Sequence, residues 1–363
     1  MIKLFKPFVS DIAAMNVESV LASEQLTQGQ VVEDFESQLK HHMGLLDKAV
    51  TTNSATSALD LAYELIGIGP GDYVISTPQT CFATNAPLIH RGAKILWADV
   101  DLSGLIDPWH VEELVRDFDV KAIVAVDWAG RLPDYEHLQK FGIPVVEDAA
   151  HRWDGNLKGR PHGDYVVYSF QAIKFLTCGD GGLLVAPRTE ISRARLLRWY
   201  GLDRDNNVDF RSTQNIAEAG FKYHMNNISA AIGMANIVGI EDRVDQQRAN
   251  AEQIIAGIDG LHYVVADYDP RACYWMLPVI VAPDRRSAFT SYLASRGIEA
   301  NVVHSRNDKY VASEGHVGNP DEVLHGLDLF AAAQTNIPCG WWLTEDDIAT
   351  IIRTIVEFDE AQP

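Results

Sequence analysis

The stretch Val145–Leu184 decides the fold, and it reads VVEDAAHRWDGNLKGRPHGDYVVYSFQAIKFLTCGDGGLL. It begins in an apolar run that predicts the end of a buried β-strand at Val146, and Asp148 follows shortly after. Asp148 would then lie at the carboxyl edge of a parallel sheet, where open α/β sheets place their ligands. Further along the chain, Lys174 lies between Ser169 and the glycine-rich sequence Gly179–Gly182. Asp148 and Lys174 are therefore the first candidates for a functional site.

A lysine and an aspartate in these positions suit one kind of cofactor chemistry. The amine of Lys174 could form a Schiff base with an aldehyde cofactor. The carboxylate of Asp148 could pair with the protonated nitrogen of a pyridine ring. Each residue also has an ordinary explanation, since most loop lysines are solvated and an aspartate at a strand end often caps a helix. The pair alone leaves both interpretations open.

Short apolar runs alternate with helical segments on both sides of the two candidates, from about residue 50 to residue 190. The predicted strands are Tyr73–Ile75, Ala93–Val100, Lys121–Val126, Ile143–Val146, Val166–Phe170 and Gly182–Ala186. The predicted helices are Ser57–Ile66, a helix containing Val111–Val115, one around His137, and Glu190–Tyr200. Strands separated by helices of this length require right-handed crossovers. The pattern predicts an α/β fold with a mostly parallel sheet.

The C-terminal part of the chain has a different pattern. A longer helical segment is expected from about Ile228 into the 250s, followed by a strand at Tyr274–Val281, a helix at Arg286–Arg296 and a closing amphipathic helix at Asp346–Phe358. We expect a large domain over residues 1–245 and a smaller α+β domain over residues 246–363. The N-terminal segment could pack on the small domain. Two domains also agree with a length of 363 residues, since domains average roughly 150 residues.

The charge and the cysteines exclude several classes of function. Thirty Lys and Arg against 50 Asp and Glu give a net charge of −20, which repels nucleic acid and anionic membrane surfaces. The cysteines Cys81, Cys178, Cys273 and Cys339 are far apart and form no Cys-x-x-Cys motif. We therefore expect neither disulfides nor a metal site, and reduced thiols indicate the cytoplasm. No apolar run approaches the roughly 18 residues of a membrane span.

Several motifs of the chain match those of a known family. The most specific matches are Glu147–His151, Ser169–Lys174 and Gly179–Gly182, and a looser one is Gly220–Asn226. On these motifs the chain resembles the DegT/DnrJ/EryC1/StrS aminotransferases, which use pyridoxal 5'-phosphate (PLP) to aminate nucleotide-linked keto-sugars. The resemblance runs from Leu26 to Asp347. It implies the fold type I of PLP-dependent transferases, with a seven-stranded sheet in the large domain.

The resemblance also implies roles for three residues around the cofactor ring. Lys174 would bond covalently to PLP and move the proton between the substrate carbon and the cofactor. Asp148 would keep the pyridine nitrogen protonated, which makes the ring an electron sink. His151 stands where the family often has Gln, near the ring oxygen of PLP. A histidine that packs or caps a helix is the alternative for this position.

The cofactor phosphate needs hydrogen-bond donors, and the best candidates precede the helix predicted at Ser57–Ile66. Free N–H groups and the dipole at a helix N-terminus favour an anion. The family's Ser-Gly-Thr reads Ser54-Ala55-Thr56 here. The resemblance therefore implies Ala55 and Thr56 as N–H donors and Ser169 as a hydroxyl donor. Taken alone, Ser54 and Thr56 would be ordinary helix caps.

Four further positions follow from the resemblance less directly. Phe82 is the candidate for the ring that stacks on the pyridine, with Cys81 as the alternative because the local match is one residue out of step. Lys222 stands where many relatives have an Asn that reaches the cofactor phosphate of the neighbouring subunit. The enzyme would then be a homodimer with shared active sites. Arg204 and His304 resemble substrate-facing positions, and an exposed charge is the alternative for each.

The reaction implied by the resemblance is a ping-pong transamination. An amino acid, expected to be L-glutamate, would convert PLP to pyridoxamine 5'-phosphate. The keto carbon of a nucleotide-linked 4-keto-6-deoxyhexose would then take the amine, as in a perosamine synthase. Two alternatives stay open: nucleotide-sugar dehydratases of this fold carry His where this chain has Lys174, and a regulatory relative could keep the fold without turnover. The presence of Lys174, Asp148 and Ser169 favours transamination.

Overall fold

The computed structural model describes residues 1–45, 48–153, 157, 160, 162–204 and 212–361. The helices are α1 (Ala13–Ala22), α2 (Gln30–His42), α3 (Ala55–Ile66), α4 (Phe82–His90), α5 (Pro108–Asp117), α6 (Tyr135–Gln139), α7 (Ile191–Leu197), α8 (Asn227–Asn236), α9 (Ile240–Gly257), α10 (Arg286–Ser295), α11 (His325–Ala333) and α12 (Glu345–Glu360). The strands are β1 (Ala49–Thr52), β2 (Tyr73–Ser76), β3 (Lys94–Trp97), β4 (Val120–Val126), β5 (Val145–Asp148), β6 (Tyr165–Ser169), β7 (Gly182–Val185), β8 (Val264–Val265), β9 (Leu277–Val281) and β10 (Gln334–Ile337).

Seven strands form the large sheet, in the order β1-β7-β6-β5-β4-β2-β3. The pairs from β6 to β3 are parallel, and β7 is antiparallel to both of its neighbours. This confirms the α/β class and the mostly parallel seven-stranded sheet. Because β1, β5 and β6 point the same way, they bring Thr52, Asp148 and Ser169 to one edge of the sheet. The edge is the one that the sequence pattern indicates as the ligand side.

Alternate residues of the central strand β4 enter two different hydrophobic cores. Ala122 and Val124 belong to one core, and Ile123 and Ala125 to the other, as the two-residue period of a strand requires. Helix α3 lies in the first core, and α5 and α6 lie in the second. Both faces of the sheet are therefore covered, which is the ordinary arrangement for a parallel sheet. Polar side chains are left to the ends of the strands.

A three-stranded antiparallel sheet, β10-β9-β8, packs with α10 and α12 in a third core. Helix α9 connects the cores, since Val244 lies in the large core and Ile254 in the small one. The N-terminal segment contacts the chain that follows α10. Ile2 forms a β-bridge with Ile298, and the Leu4 N–H donates to the Glu299 carboxylate at 3.0 Å. The domain division at residues 245 and 246 falls inside α9 and stays a prediction. No helix in the described ranges is long and apolar enough to cross a membrane.

Two predicted elements differ from the structure. The helical segment expected from Ile228 into the 250s is two helices, because Gly239 adopts a left-handed φ of 68° between α8 and α9. The strand expected from Tyr274 begins only at Leu277. Before that residue the chain bonds to the large domain instead: the Trp275 N–H donates to the carbonyl of Ala129 at 3.2 Å. This detour brings Trp275 to the edge of the large sheet.

Candidate active site

A cavity of about 860 Å³ opens at the carboxyl edge of the large sheet. The predicted site residues on its wall are Ser54, Ala55, Thr56, Asp148, His151, Ser169, Lys174 and His304. They come from strand ends, from the start of a helix and from loops on both sides of the molecule. The fold therefore brings together most of the residues that the motifs single out.

The Asp148 carboxylate is the most buried charge of the cavity. As the last residue of β5 it is 4% exposed. One oxygen accepts a hydrogen bond from the Thr84 hydroxyl at 2.7 Å and the other accepts one from the Ala150 N–H at 3.0 Å. Burial nevertheless raises the pKa of Asp148, although these two bonds and the Lys174 ammonium lower it. A positively charged group in the cavity would stabilise this anion further.

Thr84 is a site residue that sequence reasoning missed. It lies in the first turn of α4, and its hydroxyl also contacts that of Thr80 at 2.8 Å. The two threonines are four residues apart, so they share one side of the chain at the start of the helix. This spacing was a readable signal, but nothing near it in the sequence indicates Asp148 as the partner.

Lys174 lies in the loop between β6 and β7, and its amine faces the cavity. Burial lowers the pKa of Lys174 to about 7, while the nearby Asp148 and Cys81 act in the opposite direction. About half of the lysine amines are then neutral at pH 7. A neutral amine is the nucleophilic form, so this lysine can attack an aldehyde at physiological pH.

Three aromatic rings stack beside the lysine amine. The Nζ of Lys174 lies 3.4 Å from the centroid of the Trp275 ring. His151 stacks on Trp275 at 4.1 Å, and His304 stacks on His151 at 5.5 Å. Burial and the Lys174 ammonium lower the pKa of both histidines, that of His304 to about 4. Both imidazoles are therefore neutral at pH 7, and within the described residues His151 Nδ1 and His304 Nε2 have no hydrogen-bond partner.

The N-terminus of α3 forms the opposite end of the cavity. Ser54 caps this helix by accepting from the Ser57 N–H at 3.1 Å. Ala55 and Thr56 lie in the first turn, where backbone N–H groups have no carbonyl acceptor within the helix. Their N–H groups can therefore bind an anion. Strand β7 packs closely against this turn of the chain. A Cβ added to Gly182 would lie only 2.6 Å from the nitrogen of Ala55. A glycine is therefore required there.

Phe82 does not line the cavity, whereas the alternative candidate Cys81 does. The Phe82 ring packs edge-on against Tyr310 at 5.2 Å. Phe82 is the first residue of α4, and Thr84 is the residue turned towards Asp148. Two residues along a helix correspond to a rotation of roughly 200°, so the Phe82 side chain points away from the site.

Lys222 and Arg204 also lie off the cavity wall of their own chain. Lys222 is exposed, and its Nζ lies 5.9 Å from the Tyr200 ring. The Arg204 guanidinium packs on Trp199 at 3.7 Å, in a separate small pocket. The carboxylates on the cavity wall are Asp148, Asp180 and Glu299, and among the described residues Lys174 is the only lysine or arginine there. Neither Lys222 nor Arg204 therefore adds positive charge to the described cavity wall of its own chain.

Comparison with known proteins decides the family. The model of the DegT/DnrJ/EryC1/StrS aminotransferase family matches residues 10–356. The chain belongs to this family. It is an aminotransferase, and its cofactor is PLP.

Three relatives of this aminotransferase are informative. It is 30% identical over 349 residues to the UDP-4-amino-4,6-dideoxy-N-acetyl-beta-L-altrosamine transaminase of Campylobacter jejuni, covering 91% of this chain and 89% of the relative. It is 29% identical to the UDP-4-amino-4-deoxy-L-arabinose–oxoglutarate aminotransferase of Shewanella sediminis, covering 82% and 81%. The crystal structure of the sugar aminotransferase CalS13 from Micromonospora echinospora is 32% identical, with a TM-score of 0.89 over 98% of this chain and all of that one (100%).

The residues of the cavity fit PLP in three respects. The buried carboxylate of Asp148 has a raised pKa and would be stabilised by a protonated pyridine nitrogen. The amine of Lys174 is available in its neutral form for the aldehyde. The backbone N–H groups of Ala55 and Thr56 lie on the cavity wall and can donate hydrogen bonds to a phosphate.

Proposed function

We propose that this aminotransferase moves the amino group of L-glutamate to the keto carbon of a nucleotide-linked keto-sugar, a 4-keto-6-deoxyhexose. The observation that carries the proposal is that the Lys174 amine and the buried carboxylate of Asp148 face one cavity, where burial lowers the pKa of the amine. The relatives support the substrate class, since two of them are named as transaminases of UDP-linked amino sugars. The Shewanella relative names oxoglutarate, the keto acid that glutamate becomes, which supports glutamate as the donor.

The residues around the ring have separate tasks in this proposal. PLP, when bound, supplies an aldehyde that takes up amino groups and a ring that withdraws electrons. Asp148 holds a proton on the ring nitrogen, and its bonds from Thr84 and Ala150 orient the carboxylate. Lys174 Nζ takes the proton from the substrate carbon and returns it, as a general base and acid. His151 and His304 offer neutral imidazole nitrogens to the oxygens of cofactor and substrate.

Binding of the cofactor phosphate is assigned to the N-terminus of α3. Ala55 and Thr56 donate their backbone N–H groups, and the helix dipole favours the anion. Ser169 contributes its hydroxyl from the end of β6, directly opposite Gly182 in the sheet register. These donors fix the position of the cofactor and do not take part in proton transfer.

The two cations that lie off the cavity wall are assigned to the active site of a second subunit. Lys222 is held next to the phosphate-binding loop, because the Asn53 side chain donates to its carbonyl at 3.2 Å. An exposed lysine in this position can reach across an interface to the partner's cofactor phosphate, and Arg204 can reach the partner's substrate. A homodimer would then supply the positive charge that one chain lacks.

A two-step colour assay tests the function. Protein loaded with PLP should be yellow and should lose this colour on addition of glutamate, and the colour should return with a keto-sugar that accepts the amine. A panel of UDP-, GDP- and dTDP-linked keto-sugars, analysed by mass spectrometry, identifies the substrate and the aminated carbon. A K174A variant should be inactive in both steps. If glutamate leaves the colour unchanged while a keto-sugar loses water, the enzyme is a dehydratase and the proposal is wrong.

A further inference from the structure

Trp275 is a buried residue of the cavity to which neither the motifs nor the proposed function assigns a task. Its side chain is 3% exposed, and its ring lies under the amine of Lys174, with Nζ 3.4 Å from the ring centroid. This is well within the roughly 6 Å at which an ammonium and an aromatic face attract each other. Such a contact strengthens as the partners are shielded from water; here the Trp275 ring is buried and the Lys174 side chain is partly buried.

The backbone conformation around Trp275 places this ring in the cavity. The Cys273 N–H donates to the carbonyl of Gly130 at 3.0 Å and the Trp275 N–H to that of Ala129 at 3.2 Å. Tyr274, between them, has a φ of 51°, a conformation that non-glycine residues rarely adopt. The chain thus leaves the path of β9 and turns Trp275 towards the large sheet.

The indole ring is also fixed to the lysine loop itself. Its Nε1–H donates to the carbonyl of Ile173, the residue before Lys174, at 2.9 Å. His151 and Phe5 stack on the ring at 4.1 Å and 4.5 Å. The ring therefore cannot turn without breaking a hydrogen bond and two stacking contacts. The Trp275 side chain therefore contacts both the backbone of the lysine loop, at Ile173, and the amine of Lys174.

We propose that Trp275 is a positioning residue for Lys174, whose ring face holds the lysine amine at the point in the cavity where it acts. The role in turnover rests on the proposed function, in which Lys174 Nζ carries the transferred proton. The contact with the amine is a property of the chain itself and can be measured without cofactor. A freely rotating lysine would lose much of the advantage that a well-oriented base gives.

The ring also affects which form of the amine is present. An aromatic face stabilises the ammonium and not the neutral amine. The other groups near Lys174 are the Asp148 carboxylate, the Cys81 thiol and the imidazoles of His151 and His304. The carboxylate also favours the ammonium, and burial opposes it. Removing the ring while these groups stay in place should therefore lower the pKa of the Lys174 amine.

The test is the titration of Lys174 in full-length protein freed of PLP. The amine is acetylated briefly with acetic anhydride across a range of pH, and its labelled fraction is read by mass spectrometry. We expect a midpoint near 7 for the wild type, a lower one for W275F, and one lower by about one unit for W275L. W128F is the matched control, because Trp128 also contacts His151 and His304 at ring distances of 5.5 Å and 5.8 Å and is absent from the cavity wall. Its midpoint should equal that of the wild type.

The outcomes separate positioning from mere packing. Equal midpoints in the wild type, W275F and W275L, or a higher midpoint in W275L, would overturn the proposal. Circular dichroism reports folding; should W275L not fold, the wild type and W275F still decide, because indole holds a cation better than benzene does. In the loaded enzyme, W275F should lower kcat with glutamate more than it changes KM. If transamination itself is absent, the titration still reports on the contact, so the two failures can be told apart.

Discussion

Replacing Thr84 by valine removes one of the two hydrogen bonds that the Asp148 carboxylate accepts from the described residues, while keeping the shape of the side chain. The Thr84 hydroxyl donates to Asp148 at 2.7 Å, and the remaining donor, the Ala150 N–H, contacts the other oxygen. Valine and threonine have nearly the same volume, so no cavity forms. The change therefore removes the hydrogen bond to the carboxylate together with the 2.8 Å contact to the Thr80 hydroxyl, without changing the packing.

The size of the effect follows from the charge and burial of Asp148. A hydrogen bond to a charged group contributes about 1.5 to 3 kcal/mol, and a buried anion at 4% exposure cannot replace it with water. Losing it raises the pKa of Asp148 further above its ordinary value and weakens the carboxylate as partner of a protonated ring nitrogen. We expect PLP affinity and the rate with glutamate to fall about 10- to 100-fold together.

The assay is a PLP titration followed by single-turnover bleaching with glutamate. T84S keeps the hydroxyl and should remain close to the wild type. T77V is the matched control, because the Thr77 hydroxyl is also buried and accepts from the Gln79 N–H at 3.1 Å, whereas the described partners of Asp148 are Thr84 and Ala150. Unchanged PLP affinity and rate in T84V, or equal losses in T84S and T84V, would refute the reasoning.

Two further predictions concern the lysine and the phosphate loop. The rate at which PLP-free protein captures PLP should rise with pH around a midpoint of about 7, because only the neutral amine of Lys174 attacks the aldehyde. Stopped-flow absorbance measures this rate. A rate independent of pH between about 6 and 9 would contradict the prediction. G182A should bind PLP more weakly, because the new Cβ would lie 2.6 Å from the Ala55 nitrogen and displace the phosphate donors. G69A is the matched control, because a Cβ on Gly69 would meet nothing within 4 Å and φ is positive at neither glycine. Equal PLP affinity in the two variants would contradict the prediction.

The large sheet was predictable because its strands are buried on both faces. Runs such as Lys121–Val126 are almost entirely apolar, and β4 occupies residues 120–126. Alternation with helices then leaves little choice of topology. The break between α8 and α9 was harder, because both helices are amphipathic and only Gly239 indicates it. The detour of Tyr274–Met276 had no local signal at all, since it depends on bonds to Ala129 and Gly130.

The same distinction holds in the site. Asp148 and Lys174 are found by motif because their chemistry demands particular residues next to particular elements. Thr84 and Trp275 act through contacts with chain segments 64 and 102 residues away. A threonine at a helix start and a tryptophan in an apolar run are both ordinary in sequence. Only the fold shows that they contact the carboxylate and the lysine loop.

The charge of the cavity leads to the last prediction, on the assignment of Lys222 to a second subunit. A chain of net charge −20 must bind two anions, PLP and a sugar nucleotide, in a cavity whose described wall carries three side-chain carboxylates and one lysine. The free N–H groups of α3 offset part of this repulsion. We propose that the exposed Lys222, which lies beside the phosphate loop but off the cavity wall of its own chain, offsets more of the repulsion from across an interface.

Mixed dimers of K174A and K222A chains test this arrangement. If Lys222 serves the partner's site, a mixed dimer keeps one site with both lysines intact, supplied by opposite chains. Random pairing of equal amounts gives half mixed dimers, so co-expression should restore about one quarter of the wild-type activity. K222A alone should bind PLP less tightly, and a K222R control should recover part of the loss because the charge is kept. If Lys222 served its own chain, each mixed dimer would carry one defect in each site. Activity no higher than the average of the two parent variants would therefore place Lys222 in its own subunit's site or outside the site altogether.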